Sequence, residues 1–221
     1  VTHPHQLHAT RAAGSLNTAR THLDNAVTAE ANARRAEART IAAAGAIQAW
    51  RPMPGPSGQG GHGDLVGRTA VSTLEPEFRD GRLARLTTST TATLTWLADN
   101  LDGRSTEASF GMDPLARIQA LTTRLRPSTA RHLTLWLDEA DTRIRDTLHL
   151  DPAGQALTGI RCPRCARRKL TAHTTGPRTT WTVTCTTTCL CTGPNCPCTM
   201  PTRVADIPHI WGPDHPLTAT A

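Results

Sequence analysis

Cys162-Pro-Arg-Cys165, followed after 19 residues by Cys185-Thr-Thr-Thr-Cys189-Leu-Cys191-Thr-Gly-Pro-Asn-Cys196-Pro-Cys198, holds every cysteine of this 221-residue chain. A Cys-Pro-x-Cys turn sets two thiolates on one tight bend, an arrangement that converges on a tetrahedral ion. The interval before Cys185 fits a hairpin. Lys169 to Thr174 alternates as a strand, Gly176-Pro177 makes a turn, and Thr179 to Cys185 alternates again with Trp181, Val183 and Cys185 on one face. So small a hairpin, with so little apolar surface, needs a staple to fold. Cysteines clustered this closely argue for metal rather than a disulfide scaffold. The N-terminus, VTHPHQLHATRAAG, lacks the apolar stretch of a secretory signal, so a cytoplasmic location is expected, where disulfides are disfavoured.

Knuckle, hairpin and second cysteine cluster is the order of a zinc ribbon. Two features depart from that pattern: Ala166 follows the first knuckle where Gly usually permits a positive φ, and the second cluster opens with a C-x3-C spacing. Seven cysteines exceed one tetrahedral site and fall one short of two. His209, in Pro208-His-Ile-Trp211, is the candidate eighth ligand, preferred over His173 because it closes the module. The simplest partition gives Cys162, Cys165, Cys185 and Cys189 to one site and Cys191, Cys196, Cys198 and His209 to the other; interleaved pairings are stereochemically equivalent. One or two structural Zn2+ ions are expected, because a site closed by four protein ligands leaves no position for a catalytic water. Their binding supplies folding energy on the order of 10–16 kcal/mol, as in zinc-finger peptides. An iron–sulfur cluster is the minor rival.

Charge is placed as unevenly as the cysteines. Residues 1–151 carry 17 basic and 16 acidic groups, whereas residues 152–205 carry seven basic groups and no acid. Five of the seven, Arg161, Arg164, Arg167, Arg168 and Lys169, flank the first knuckle and form the candidate nucleic-acid-binding group.

Upstream, the chain divides into a long helix (1–51), a Pro/Gly linker (52–64) and a helical bundle (65–150) that precede the zinc-ribbon-like module (151–221). Residues 8–50 are Ala-rich, with Leu16, Leu23, Val27, Ile41 and Ile47 marking a thin apolar stripe and Glu30 and Arg34 paired at i,i+4. The linker glycines lack the G-K-[ST] ending of a phosphate loop, and His62 within them carries no role. Asp64 opens a short helix ending before Pro76, with Val66, Ala70 and Leu74 on one face. Leu83, Leu86, Thr90, Leu94, Leu97 and Leu101 form an amphipathic stripe. Asp113-Pro114 reads as N-cap and N1 of a helix over 113–126 carrying Leu115, Ile118, Leu121 and Leu125. Ser128 reads as the cap of the next helix, 128–149, which buries Leu133, Trp136, Leu137, Ala140, Ile144 and Leu148; Trp96 and Trp136 read as core anchors. This pair reads as an antiparallel helix pair rather than a DNA-reading helix-turn-helix, because Asp138, Glu139, Asp141 and Asp146 would meet phosphate on the second helix; Asp138, Glu139 and Asp141 read as a solvated face.

The Cys-Pro-x-Cys turn, the hairpin, the C-x-C-x4-C-x-C run and the late His-x-Trp resemble small, largely uncharacterised proteins of actinobacteria and their phages, which pair a helical N-terminal part with a Cys-rich zinc-ribbon-like end. The resemblance covers Cys162 to Trp211 and implies a metal module without an assigned activity. Composition agrees on origin: 23 of 24 basic residues are Arg, as in a high-GC genome, and Val1 fits a GTG start. The chain is therefore expected to be mainly α with a small C-terminal β module. Its expected role is a zinc-binding, non-catalytic accessory or regulatory protein with nucleic acid as partner. The alternative is a zinc-stabilised protein-interaction adaptor or phage structural protein. No G-x-S-x-G, H-E-x-x-H or Walker signature is present, and no membrane or small-molecule partner is expected.

Overall fold

In the computed structural model, which describes residues 3–49, 81–102, 111–175, 177–187, 189–200 and 203–219, helix α1 runs over Pro4–Ala49. Its residues Ala9, Ala12, Ala13, Leu16, Ala19 and Leu23 are all no more than 1% exposed. They recur at helical spacing and make a buried stripe of mostly small side chains. Hydrogen bonds tie this part of α1 to α3 (Pro114–Leu121), where Gln119 donates to the Ala13 carbonyl, and to α4 (Pro127–Leu148), where Asp138 accepts from Arg11; Arg117 of α3 in turn pairs with Asp99 of α2 (Arg82–Asp102). These three helices contribute Leu94, Leu97, Leu115, Ile118, Leu133, Leu137 and Ile144 to the buried set. The expected linker, His62, the short helix after Asp64 and the side chain of Ile47 lie outside the described residues.

The chain forms two compact units, one of Val1–Leu23 with Thr88–Ala221 and one of Asp24–Thr87. Within the smaller unit, Glu30 and Arg34 are ion-paired one helical turn apart, and Gly81 lies so close to both that a Cβ would collide with them. Ile41 is 65% exposed, so the expected stripe does not stay buried along α1.

In the larger unit, polar bonds fix the helix contacts. Asp113 caps α3 by accepting from the Ala116 amide at 3.1 Å, with Pro114 at the first turn. Helix α3 stops at Leu121 and passes into a 3-10 turn, Thr122–Arg124, instead of reaching residue 126. Ser128 does not cap α4; the helix starts at Pro127, whose fixed φ suits N1, and Arg126 precedes it without a side-chain cap. Arg11 of α1 grips Asp138 at 2.8 Å, and Asp141, 3% exposed, accepts from Arg145 at 2.8 Å and from Ser15 at 3.1 Å. Asp141 thus belongs to the helix interface and not to a solvated face; Asp138 is tied to α1 but stays partly exposed, and Glu139 is exposed as expected. A second correction concerns Trp96 and Trp136. Both lie outside the core, 57% and 47% exposed, with ring centroids 6.2 Å apart.

Beyond His149, which ends α4 in the left-handed conformation at φ 54°, the chain turns to β structure. Strands β1 (Gln155–Ala156), β2 (Leu170–His173), β3 (Thr182–Cys185) and β4 (Ile210–Trp211) form one antiparallel sheet in that order. The β2–β3 hairpin pairs Leu170 with Cys185 and His173 with Thr182, so the cysteine end lies opposite the hairpin tip. A short helix α5 (Pro216–Ala219) follows. No helix among the described residues is long and apolar enough to cross a membrane.

Candidate metal centre

The hairpin delivers Cys185 at the end of β3, beside the Cys162–Cys165 turn. That turn closes on itself: the Ala166 amide donates to the Cys162 carbonyl at 2.9 Å and the Cys162 amide to the Arg167 carbonyl at 2.9 Å. Ala166 takes φ 55° to allow this, the left-handed conformation that favours Gly. The second cluster bends through Gly193, at φ 89°, whose carbonyl accepts from the Cys196 amide at 2.9 Å. The chain returns through Ile207, whose carbonyl accepts from Cys191 at 2.8 Å, to place His209 between the clusters.

Two groups of ligand atoms result, Cys162, Cys165, Cys185 and Cys189 in one and Cys191, Cys196, Cys198 and His209 in the other, each with its atoms all within 4.8 Å of one another. Either group could hold a metal ion. An ion with metal–sulfur bonds of about 2.3 Å in tetrahedral geometry sets its sulfurs about 3.8 Å apart. Cys165 Sγ and Cys185 Sγ are 3.8 Å apart, and Cys191 Sγ and Cys198 Sγ 3.9 Å. A thiolate and an imidazole nitrogen on such an ion lie about 3.6 Å apart; Cys196 Sγ and His209 Nε2 are 3.5 Å apart. The residues present therefore fit a four-coordinate ion in each cluster.

His209 is oriented for that task. Its Nδ1 lies 3.1 Å from the Cys189 carbonyl, to which it donates, leaving the Nε2 lone pair toward Cys196. Its ring is stacked on Trp211, whose indole N–H donates to the Cys198 carbonyl at 2.9 Å. His173 takes no part: its Nε2 lies 3.2 Å from Thr184 Oγ1, and its ring meets His8 of α1 edge-on. Thr187, with nothing to mark it in a run of three threonines, is a site residue that spacing did not single out. Its hydroxyl lies 3.0 Å from Cys185 Sγ and 3.6 Å from Cys165 Sγ and accepts from the Cys189 amide.

The thiols share charge unequally. Burial pushes Cys162 up to about 12 and Cys189 up to about 11. At Cys165 burial also opposes ionisation, but the Thr187 hydroxyl, the Arg167 amide and the adjacent thiols outweigh it and bring the group down to about 6. In the second cluster Cys198 is raised by burial to about 11. Cys196, against its own burial, is lowered to about 5 by the Thr192 amide and the His209 ring. Neighbouring thiols so close cannot all ionise without a cation among them, which a divalent ion supplies.

Arg161, Arg164, Arg167, Arg168 and Lys169 are all exposed, and among the described residues no ion pair engages them. Arg164 and Arg167, with Cys165, Thr187, Cys189 and Leu190, line a depression of about 400 Å³ beside the first cluster. The backbone beneath is anchored, since the Lys169 carbonyl accepts from the amide of Thr186 at 2.9 Å and from its hydroxyl at 3.1 Å. No protein-family model, curated protein or solved structure matches this chain.

Proposed function

We propose that the module holds two structural zinc ions and that its first knuckle binds nucleic-acid phosphate, making the chain a non-catalytic accessory or regulatory protein of actinobacterial or phage origin. Zinc suits four-coordinate sets of three or four thiolates, and four protein donors per cluster leave no open position for substrate. Four thiolates on zinc carry −2 and three thiolates with imidazole −1, so the +7 of residues 152–205 falls to about +4 and remains basic. The observation that carries the nucleic-acid reading is the group of five exposed basic side chains around Cys162 and Cys165 in a segment without acid. Trp211 is 0% exposed and cannot stack on a base; Trp181 is half-buried with Arg178 over its ring. Binding should accordingly be electrostatic and indifferent to sequence.

The test is affinity for a short duplex and a single strand across salt concentrations. Wild type should bind more weakly as salt rises. Replacing Arg164, Arg167 and Arg168 together by Ala should weaken binding and reduce the salt slope by about 2–3, since each lost phosphate contact removes about 0.9, with the metal content unchanged. Absence of binding at low ionic strength would remove this reading. The exposed Trp96–Trp136 pair beside Leu135, 62% exposed, would then favour the adaptor alternative.

A further inference from the structure

The two clusters differ in access. Cys191, Cys196, Cys198 and His209 are all buried, whereas in the first cluster only Cys162 and Cys185 are; Cys165 and Cys189 remain partly exposed. They open onto the depression lined by Arg164, Arg167, Thr187 and Leu190. Thiol oxidation follows thiolate character and exposure. Metal-bound sulfur is thiolate in both clusters, so exposure decides between them.

We propose that Cys165 is an oxidative modification site, where a hydroperoxide converts the first cluster to a disulfide and ejects its ion while the second cluster keeps its own. This rests on the two-zinc reading above. The Cys165 thiolate attacks the outer oxygen of the hydroperoxide; the O–O bond breaks, two electrons pass from sulfur, and an alkoxide or hydroxide departs and takes a proton from water. A neighbouring thiolate, Cys185 with Sγ at 3.8 Å or Cys189, then attacks the sulfenic sulfur and expels hydroxide as the S–S bond forms. The ion has lost two of four ligands and leaves. Arg164 and Arg167 favour the first step by holding positive charge beside the departing oxygen anion. Because the same knuckle carries the five basic residues, ion loss would also disperse the phosphate-binding group, making binding responsive to oxidant.

The test uses the full chain. Its metal content is counted first, and fewer than two zinc ions at that stage would sink the two-zinc reading and this proposal with it. Hydrogen peroxide is then added with a chromogenic chelator present. One zinc per chain should be released at least tenfold faster than the second, with mass mapping placing the new disulfide on Cys165 and Cys185 or Cys189. Release of both ions in step, first release with a disulfide among Cys191, Cys196 and Cys198, or retention of both ions under peroxide would each overturn the proposal. No variant is needed, so the outcome does not depend on a mutant folding.

Discussion

His209 and Trp211 lie ring on ring, with centroids 5.9 Å apart and planes 16° from parallel, at the inner side of the second cysteine cluster. The indole shields the imidazole from water, and both residues are 0% exposed. This pairing makes the second cluster the closed one of the two.

If His209 supplies the fourth ligand there, His209→Ala should lower the metal content from two zinc ions per chain to one. Native mass spectrometry reads the count directly. The intrinsic fluorescence of Trp211 should change in the same variant, because its stacking partner is gone. Two ions retained would remove His209 from the ligand set.

The module owns its core. Cys162, Leu170, Val183, Cys185, Ile207 and Trp211 pack together with Leu157, Ile160 and Leu217 at the margin, and among the described residues none of helices α1 to α4 belongs to the cluster. Cys162→Ser should therefore unfold the module while most of the helical circular-dichroism signal persists. A single transition that also removes the helix would show that the contacts of His8 with His173 and of Leu7 with Gly212 bind the two parts into one cooperative whole.

Ala166 sits at φ 55°. The left-handed conformation costs an L-residue with a Cβ roughly 1–2 kcal/mol, and Gly avoids it. Ala166→Gly should stabilise the module by about 1 kcal/mol, net of the entropy Gly loses on folding. Chemical denaturation followed at the module reports the difference, and a destabilised variant would contradict the strain at this turn.

Histidines between the module and α1 should make stability fall in acid. Burial, with Arg11 adding to it, holds His173 down to about 4, and burial holds His8 well below its ordinary value, helped by Arg11, His173 and His5. Both protonate more readily when unfolded, so the unfolded chain binds more protons below about pH 6.5. Their contribution is intact above that value and is lost as pH falls toward 4. Denaturant midpoints at pH 7 and pH 5 measure the slope, with metal content followed separately because acid also protonates thiolates. His173→Gln should flatten it, and an unchanged slope would exclude this imidazole.

Where spacing alone led to the structure, it did so through residues that repeat or cluster. Leu94, Leu97, Leu133, Leu137 and Ile144 recur at helical intervals and are buried as expected. The Asp113-Pro114 pair carries its own capping chemistry. Trp96 and Trp136 each stand one residue ahead of a buried leucine, about 100° around the helix, and that offset puts them outside the stripe despite their size. Strands β1 and β4 have two residues each, too few for alternation to register. Asp141 is charged in sequence but buried in the fold, and only the approach of Arg145 and Ser15 makes that tolerable. The two candidate metal groups are legible because all seven cysteines fall between residues 162 and 198, with His209 following in the same module; Thr187 is not, because threonine is common here.

One residue, Leu190, separates Cys189 of the first cluster from Cys191 of the second, and it is held by a bridge to Pro208 next to His209. An added residue at that point would turn one cluster's sulfur away by half a strand period and pull His209 off its carbonyl anchor. The hairpin tip between His173 and Thr182 lies at the opposite end from the cysteines. Chain length is thus free to drift at the tip and locked at Leu190, so across divergent versions of this module the Cys189-x-Cys191 spacing should outlast every other dimension of the sheet.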